Sequence, residues 1–399
     1  MTLAPDAYAG LAAGSFNLTA QERVVHGLPA GEAVRAEAER CGARRVLLVS
    51  TGSLARLADG PLQRVAAALG DRFAGSFGSV RAHSPREDVI AIAEAARAAG
   101  ADLLVAVGGG SAIDATKLAL ACLWMDLRSV DDLEALRADA PAGTARPITA
   151  GPDAIRMLSV STTLSASDFT GMAGVTDSRT RAKQMFVHRL MVPRVAVLDP
   201  AATLDTPLPL LFATAIRSVD HAVECWCSPM ATPATEALSL QGLTLLARAL
   251  PAIQAEPGRL GPRLDAQFGM WQAVAALASG VQTGASHGIG YALGAGFGVA
   301  HGHTSCVLLP AVMQWNAEVN APRQQALSQA MGQPGRPAHE LVDALIHQLG
   351  QPRSLREVGI TAEQLGTLAE RALPYPPVKA NPRPIRSADD VRQILQLCW

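Results

Sequence analysis

The first half of the chain alternates short apolar runs with longer stretches whose apolar residues recur at helical spacing. The short runs are typical of strands, and they cover residues 44–51, 101–107, 155–161, 174–177 and 194–198. Amphipathic stretches at 85–99 and 111–122 predict helices between some of these strands. Strands that alternate with helices predict a parallel sheet covered on both faces.

After residue 203 the pattern changes, and helical periodicity continues to the end of the chain. Helices are predicted at residues 209–226, 232–254, 264–281, from near 285, and at 304–318, 338–349 and 387–397. We therefore predict an α/β domain over residues 1–203 and an all-helical domain over 204–399, which suits a chain of 399 residues. The polar segment 126–154 is predicted to be a surface excursion of open role.

Composition and charge argue against several classes of protein. Apolar residues make up 49% of the chain, and the formal net charge is −1, so no global field attracts nucleic acid or an anionic membrane. Apolar runs such as 208–216 are too short to span a bilayer, and the first ten residues lack the basic cluster of a signal peptide. Scattered cysteines, at 41, 122, 225, 227, 306 and 398, are typical of reduced thiols in a cytoplasmic protein.

The predicted strand at 101–107 runs directly into a glycine-rich helix start, formed by Gly108, Gly109, Gly110 and Ser111. Glycines remove the Cβ atoms that would block a phosphate, and the free N–H groups and dipole of a helix start favour an anion. Asp114, one turn further, is a candidate to bind a ribose or to orient the loop. A tight strand-to-helix connection would also explain the glycines. However, the carboxyl end of a buried strand is where open sheets bind ligands.

Several ordered motifs resemble those of one enzyme family. The stretch GGGSAIDATK at 108–117 is similar to the GGGSxxDxxK signature of the iron-containing alcohol dehydrogenase superfamily. The resemblance covers nearly the whole chain and continues through STTLSASDFT (161–170), VAVLDP (195–200), DHAVE (220–224), HGIGYALG (287–294), HGHTSCVLLP (301–310) and NPRP (381–384). It implies the dehydroquinate synthase-like fold, in which a Rossmann-like parallel-sheet domain precedes a helical one. It also implies an NAD(P)-dependent oxidoreductase that is often a homodimer.

Details of these motifs are similar to the maleylacetate reductases within that superfamily. The sequence His83-Ser84-Pro85 resembles their H-x-P, and the loop 161–170 has their ten-residue length. By this resemblance the residues that contact the cofactor are His83, Thr162, Thr163 and Ser167, while Lys183 lies near its ribose. Turn chemistry alone would also account for the threonines.

Thr51, at the end of an early predicted strand, bears on the choice of cofactor. Many members of the superfamily have an aspartate there, which holds the adenosine ribose hydroxyls of NAD and repels the 2′-phosphate of NADP. Because a threonine lacks that negative charge, NAD and NADP are both candidates.

The superfamily usually holds iron or zinc with one aspartate and three histidines of the helical domain. His221, His287 and His301 match the histidine positions, and a neutral imidazole is a good ligand for either metal. Arg217 occupies the aspartate position, on the same helix face as His221. A guanidinium keeps its charge and cannot ligate a cation. Asp220 lies about 100° round the helix from His221 and is a poor substitute.

Two interpretations of this site follow. In the one that we favour, no metal is bound, and Arg217 polarises a carbonyl or holds a substrate carboxylate. This agrees with the resemblance, since maleylacetate reductases are described as acting on a dicarboxylate without a metal. In the other, the three histidines still bind iron or zinc. Tyr291, where metal-dependent relatives commonly have a histidine, is a candidate to relay a proton or to pack within its helix.

The functional hypothesis is hydride transfer between NAD(P) and a small substrate in the cleft between the two domains. Its catalytic residues are Arg217, His221, His287, Tyr291 and His301. One alternative is a metal-dependent group III alcohol or aldehyde dehydrogenase with a neutral substrate. Another is a nucleotide-binding protein that has lost catalysis, and a lyase with tightly held NAD is a weaker match. No nucleic acid or membrane partner is predicted.

Overall fold

The strands of the computed structural model all lie before residue 200, within the described part of the chain, residues 15–399. They are β1 (Arg23–His26), β2 (Val46–Thr51), β3 (Phe73–Val80), β4 (Leu103–Gly108), β5 (Arg156–Ser161), β6 (Met172–Asp177), β7 (Ala182–Val187) and β8 (Val195–Leu198). The expectation that the first ten residues are not a signal peptide concerns residues outside this part.

Six of these strands form one parallel sheet in the order β1-β8-β5-β4-β2-β3, and β6 and β7 form a separate antiparallel hairpin. The residues of β4 and β5 are almost all buried, because helices cover both faces of the sheet. The predicted parallel sheet is confirmed. Its strand order places the carboxyl ends of β2, β4 and β5 side by side.

Five helices accompany the sheet: α1 (Ala30–Arg40), α2 (Gly52–Ala55), α3 (Pro61–Leu69), α4 (Arg86–Ala99) and α5 (Gly110–Trp124). α1 and α3 pack on one face, α4 and α5 pack on the other, and each face has its own apolar core. α4 ends at Gly100, whose φ of 55° is a left-handed conformation that glycine adopts without steric cost.

The sequence pattern missed α1, α2, α3, β1, β3 and β7. α1 has few large apolar residues, and β1 and β3 are edge strands whose partly exposed side chains form no continuous apolar run. β3 also contains two glycines, which are unfavourable in strands. In β7 the buried positions include Gln184, while the apolar Met185 and Val187 are exposed, so the usual alternation is inverted in part.

The segment 126–154 is not merely the surface excursion that its polar composition predicted. It contains a 3₁₀ helix, Asp131–Leu136, whose Leu133 and Leu136 are buried against the core of α4 and α5. The Ala138 amide donates a hydrogen bond to a carbonyl oxygen of β7 at 2.8 Å. Two buried leucines in a polar segment are too few to produce a periodic pattern. Together with the Ala138 hydrogen bond, they fix the segment over this face of the sheet and against the β6–β7 hairpin.

Helices make up the second half of the chain. They are α6 (Leu208–Cys227), α7 (Pro233–Ala255), α8 (Leu260–Ala278), α9 (Ala285–Phe297), α10 (His301–Ala330), α11 (Ala338–Gln348), α12 (Gln364–Ala372), α13 (Pro376–Lys379) and α14 (Ala388–Leu397). One apolar core is centred on α6, α7, α8 and α10, and a second lies around α9, α12 and α14. The predicted helical half is confirmed, although α12 and α13 were not foreseen.

α10 extends well beyond its predicted end at residue 318. Asn320 interrupts the helical backbone, with φ −132° and ψ 25°, and Pro322 follows two residues later. Proline removes a backbone donor and kinks a helix, so the sequence pattern stopped at this kink and missed the helical turns after it. No helix among the described residues, α10 included, is both long and apolar enough to cross a membrane.

Candidate active site

The glycine-rich turn lies where the sequence predicts it, between β4 and α5. Gly108 ends the strand, Gly109 is the N-cap residue and Gly110 begins the helix. A Cβ atom on Gly109 would lie 2.7 Å from Cγ2 of Thr163, so glycine is required for the close approach of the loop that follows β5. In the same contact the Thr162 amide donates to the carbonyl oxygen of Gly108 at 3.1 Å. The glycines therefore admit a second loop as well as leaving the helix start open.

A third segment, which contains His83, lies against the start of α5. The His83 amide donates to Oγ of Ser111 at 3.1 Å, and Oγ of Ser84 donates to the Ser111 carbonyl oxygen at 2.8 Å. His83 and Ser84 have φ of 65° and 52°, a conformation that these residues adopt only when their surroundings hold it. The His83 imidazole is exposed beside the turn, where a bound nucleotide would meet it.

Asp114 orients the loop after β5. Its Oδ1 accepts a short hydrogen bond from Oγ of Ser167, and its Oδ2 accepts one from the Gly174 amide at 3.0 Å. Both carboxylate oxygens are thus engaged by the protein itself. Of the two roles predicted for Asp114, this geometry favours loop orientation over ribose binding.

Lys117 is fully buried, and the sequence analysis gave it no role. Its Nζ donates to the carbonyl oxygens of Ser167 and Met172 at 2.6 and 2.7 Å. Burial lowers the pKa of Lys117, and the charges of Asp114 and Asp168 oppose this. The available signal was a lysine three residues after Asp114 in an otherwise apolar helix. The ammonium group ties the loop after β5 to the first residue of β6.

The loop after β5 also connects the turn to α6. The Leu164 amide donates to Oγ1 of Thr214 at 3.1 Å, and Oγ of Ser218 donates to the Leu164 carbonyl oxygen at 2.7 Å. The Thr162 carbonyl oxygen accepts a third hydrogen bond, at 2.7 Å, from Oγ1 of Thr206. Because Ser218 directly follows the predicted catalytic arginine, these bonds put the turn and α6 on the border of the predicted cleft between the two halves.

Three helices converge on the far side of this cleft. α6 carries Arg217 and His221, α9 carries His287 and Tyr291, and α10 begins with His301. The ring centroids of His221 and His287 are 4.8 Å apart, and those of Tyr291 and His301 are 6.5 Å apart with planes 3° from parallel. The structure brings these residues, singled out as catalytic from the sequence, into one cluster.

The Arg217 side chain points into the protein and is only 4% exposed. Its Nη1 donates to Oγ of Ser305 at 3.0 Å and lies 3.6 Å from Oδ2 of Asp220. The guanidinium carbon lies 5.8 Å from the ring centroid of Tyr291. The arginine is therefore held in place from α10 and stays beside the tyrosine.

The fixed charge of Arg217 contributes to a lowered pKa in two neighbouring imidazoles, those of His301 and His221. It is the largest cause that lowers the pKa of His301 well below the usual range, and burial is the next. For His221, burial is the largest cause of a lowered pKa, and the charges of His287 and Arg217 lower it further. Near neutral pH both rings are hydrogen-bonding groups without charge.

His287 differs from these two rings because it lies between buried carboxylates. Its Nδ1 is 2.7 Å from Oε2 of Glu224 and 3.4 Å from Oδ2 of Asp220. Burial and the charge of Arg217 lower the pKa of His287, but the two carboxylates outweigh them and raise it. The two carboxylates therefore favour the protonated form of His287.

Glu224 also caps α9, a role that the sequence analysis missed. Its carboxylate accepts hydrogen bonds from the amides of Gly284 and Ser286, at 2.9 and 2.7 Å, and from the His287 amide at 3.3 Å. Together with Nδ1 of the His287 ring, these three amides make four hydrogen-bonding partners for the two carboxylate oxygens of Glu224. The available signal was the position of Glu224 one turn after Asp220, on the same face of α6.

The donor atoms show how well the site fits a metal ion. Among the described residues, one set of three candidate ligands has its atoms within 4.8 Å of one another, namely Asp220, Glu224 and His287. The set predicted from the resemblance, His221, His287 and His301, does not meet this criterion. Four donors already fill the Glu224 oxygens, and a guanidinium lies 3.6 Å from Asp220. Both features oppose the binding of a divalent cation by Asp220, Glu224 and His287.

Lys183 of β7 adds a second cation to the cleft. Its side chain lies across Gly174 of β6, where a Cβ atom would overlap its Cε. Lys183 is an exposed residue, yet surrounding protein partly desolvates its ammonium group. This desolvation lowers the pKa of Lys183, Asp114 opposes it, and Arg217 adds to it. Lys183 also lowers the pKa of His301, so its charge acts on the catalytic cluster.

Tyr291 forms part of the cleft surface, with His287 beneath it. Tyr291 is 37% exposed and His287 is 1% exposed. Burial raises the pKa of Tyr291, and the charge of Arg217 opposes that change. The phenol therefore keeps its proton near neutral pH. A neutral phenol beside a guanidinium is a hydrogen-bond donor for an oxygen that gains negative charge.

The predicted cofactor residues follow one line along the edge of the sheet. Thr51 ends β2, the glycine-rich turn follows β4, and Thr162 and Thr163 follow β5, and these three strands are neighbours in this order. Thr51 therefore lies on the side of the turn that faces away from Arg217.

Known proteins are similar in sequence to both halves of the chain. A sequence profile described as "Iron-containing alcohol dehydrogenase" matches residues 21–200, and one described as "Fe-containing alcohol dehydrogenase family, C-terminal" matches residues 212–399. Maleylacetate reductase 1 of Cupriavidus pinatubonensis is 31% identical over 368 residues, which cover 92% of this chain and 92% of the relative. Dehydrogenase FUM7 of Gibberella moniliformis is 31% identical over 396 residues, with 90% and 92% covered.

Solved structures share the fold over almost the whole length. The crystal structure of maleylacetate reductase from Agrobacterium tumefaciens matches with a TM-score of 0.80 at 26% identity, covering 98% of this chain and 99% of that chain. The resemblance inferred from the motifs is confirmed. The chain belongs to the iron-containing alcohol dehydrogenase family, in its maleylacetate reductase-like branch, and is an NAD(P)-dependent oxidoreductase.

Proposed function

We propose that the enzyme uses NAD(P)H to reduce the carbonyl group of a small, negatively charged substrate, and that it needs no metal ion. The proposal depends on one observation: the buried guanidinium of Arg217, held by Ser305 in the middle of the catalytic cluster. This arginine stands where the resemblance places a metal-binding aspartate. The guanidinium of Arg217, a fixed cation, supplies the positive charge that a metal ion supplies in metal-dependent relatives.

The residues of the sheet domain bind and orient the cofactor, whose bound nicotinamide supplies the hydride. The amides at the start of α5, of Gly110 and Ser111, bind its pyrophosphate. Thr162 and Thr163 form the wall beside the turn, and Ser167 fixes that wall through Asp114. His83 closes the turn from the other side.

Arg217 and Lys183 are the cations at the substrate end of the cleft. Arg217 polarises the substrate carbonyl and stabilises the negative charge that develops on its oxygen. We assign Lys183, on the hairpin, to the substrate carboxylate, although the resemblance puts it near the cofactor ribose, because its charge acts on His301 and it is itself affected by Arg217. A pair of cations selects an anionic carbonyl compound over a neutral one.

The new hydroxyl group requires a proton, and Tyr291 is placed to donate it from its Oη. His287 lies beneath the tyrosine, with ring centroids 6.4 Å apart, and retains a proton between Glu224 and Asp220. It is the group from which Tyr291 is reprotonated. The neutral rings of His221 and His301 bind the substrate by hydrogen bonds.

A direct test compares chelator-treated enzyme with untreated enzyme. We expect undiminished reduction of the carbonyl group of a saturated 3-oxo-dicarboxylate after dialysis against a strong chelator, and slow reduction of a neutral aldehyde of similar size. Elemental analysis of the same samples measures iron and zinc. Stoichiometric metal whose removal abolishes turnover would establish the metal-dependent alternative instead.

Three further parts of the proposal follow from the resemblance and the composition. We propose that the two domains meet at residues 203 and 204, that the protein is a homodimer, and that it is cytoplasmic. The six cysteines are all free thiols, most of them buried, which supports a reducing compartment. Light scattering coupled to size-exclusion chromatography tests the dimer, and limited proteolysis tests the boundary.

A further inference from the structure

The carboxyl end of β2 carries polar groups that the reduction itself does not use. Oγ1 of Thr51 lies 3.0 Å from Oγ of Ser53. The guanidinium of Arg56 folds over Gly52, with Nη1 3.3 Å from where a Cβ atom on that glycine would be. A side chain at position 52 would push the guanidinium away, so glycine keeps two hydroxyl groups and a cation close together on an exposed surface.

This group of residues lies next to the glycine-rich turn. β2 pairs with β4, and Leu54 of α2 is 3.8 Å from the position of a Cβ atom on Gly108. A dinucleotide whose pyrophosphate binds at the turn extends to both sides of it. On the β5 side lie α6 and Arg217, where the nicotinamide must be for hydride transfer. The adenosine half therefore lies on the β2 side.

The side chains at the end of β2 determine which adenosine ribose can bind. In parallel-sheet dinucleotide domains an acidic residue at such a strand end binds the 2′-hydroxyl of NAD, and an arginine nearby accommodates the 2′-phosphate of NADP. Residues 50–57, STGSLARL, contain no acid and one arginine, Arg56. A phosphate dianion needs several donors and a positive charge, and these are what the segment offers.

The charge of Arg56 is available for such a ligand. Among the described residues Arg56 has no salt bridge, whereas Arg64 of α3 lies 3.9 Å from Asp205 and donates to the Asp59 carbonyl oxygen. The two arginines are both on the surface of the sheet domain, but Arg64 already has partners. Arg64 is therefore the matched control for Arg56.

We infer that Arg56, with the hydroxyl groups of Thr51 and Ser53, binds the 2′-phosphate of NADP, so that the enzyme prefers NADPH to NADH. This inference rests on the proposed function, because it takes the turn to be the dinucleotide site and Arg217 to mark its nicotinamide end. It adds a specificity-determining site that the catalytic cluster does not require.

The test measures binding without any turnover. The full-length protein is titrated by calorimetry with 2′,5′-ADP and with 5′-ADP, which differ only in the 2′-phosphate. We expect the native protein to bind 2′,5′-ADP at least ~10-fold more tightly, since a charge-assisted hydrogen bond is worth that much. R56Q should weaken 2′,5′-ADP binding by roughly 10- to 100-fold and leave 5′-ADP binding within about 3-fold, while R64Q should change neither. T51D should reverse the preference by repelling the phosphate.

Each outcome bears on a different statement. Equal binding of the two nucleotides by the native protein, or a loss of discrimination in R64Q as large as in R56Q, would overturn the 2′-phosphate site while leaving the reductase proposal intact. Failure of both nucleotides to bind would overturn the dinucleotide site itself. Reduction of no carbonyl substrate by an enzyme that discriminates as expected would contradict only the proposed function. Circular dichroism of each variant establishes that it is folded.

Discussion

Glu224 of α6 and His287 of α9 are joined through Oε2 and Nδ1 at 2.7 Å, across 63 residues of sequence. The same carboxylate accepts hydrogen bonds from the amides at the start of α9, so one side chain both caps a helix and fixes the ring of a proposed catalytic residue. The position of α9 and the orientation of His287 therefore depend on each other.

Replacing Glu224 by glutamine is expected to affect both properties. In E224Q the NH2 group of the glutamine replaces a carboxylate oxygen that accepted hydrogen bonds, so a buried donor is left unpaired. The free energy of unfolding should therefore fall by about 2–4 kcal/mol. Turnover should fall at least ~10-fold, since removing a hydrogen bond to a charged group costs about that much. Denaturant unfolding and steady-state kinetics measure the two effects. E318Q removes a carboxylate that is 70% exposed and serves as the control. If E224Q changed stability and turnover as little as E318Q, the proposed importance of the Glu224 cap would be contradicted.

Arg217 is expected to act on turnover more than on folding. R217A removes the charge that stabilises the developing oxyanion, and such losses lower kcat by about 10²–10³-fold. R217K keeps a charge but loses the planar fork, so its kcat should lie between those of R217A and the native enzyme. Kinetics with saturating NADPH and NADH check this order. Native-like turnover in R217A would remove the arginine from the mechanism.

The neutral state of His221 predicts a pH dependence of stability. Burial, His287 and Arg217 lower the pKa of His221 in the folded protein well below its ordinary value of 6.5, so the unfolded chain binds the proton more readily. Stability should therefore fall as the pH decreases below about 6.5, toward the lower pKa of the folded state. Thermal unfolding between pH 7.5 and 5.5 measures it; H221N should lose less stability over this range. H347N, at an exposed position of α11, should follow the native protein.

Lys117 is expected to be essential for stability. In K117M the carbonyl oxygens of Ser167 and Met172 and the Asp114 carboxylate lose their buried cation, which should cost about 3–5 kcal/mol of unfolding free energy. Denaturant unfolding measures it. K379M changes an exposed lysine and should be near neutral. A K117M protein as stable as K379M would show that the ammonium group is not what holds the loop.

Gly109 tests the packing between the turn and the loop after β5. In G109A the new methyl group would lie 2.7 Å from Thr163, which forces one of the two loops to move at a cost of about 1–3 kcal/mol. We expect at least ~10-fold weaker NADPH binding, measured by the quenching of protein fluorescence. In G110A the nearest atom is 3.3 Å away, on the rotatable hydroxyl of Ser165, so the loss should be smaller. Equal effects of the two substitutions would contradict this steric account.

Local signals made the centre of the fold predictable. β4 is a continuous apolar run, the glycine-rich turn interrupts it, and α5 follows as a stretch of helical sequence. Each can be recognised without knowledge of distant residues. The edge strands β1 and β3 give weak signals because their side chains are partly exposed. The Arg217–His221 spacing likewise predicted a shared helix face, and the two residues lie in one cluster.

The partners of the buried charges could not be derived in this way. Lys117 contacts Ser167 across 50 residues, Glu224 contacts His287 across 63, and Arg217 contacts Ser305 across 88. Each contact is set by how helices from separate parts of the chain pack together. A periodicity within one segment contains no information about this.

Hydrogen bonds with Thr206, Thr214 and Ser218 fasten the loop after β5 to the helical half at three points. A hinge between the halves therefore cannot lie at this loop without breaking all three bonds together. The β6–β7 hairpin is tied to α5 in the same way, since Lys117 bonds the Met172 carbonyl oxygen and Asp114 bonds the Gly174 amide. The loop and the hairpin therefore keep their positions relative to the six-stranded sheet.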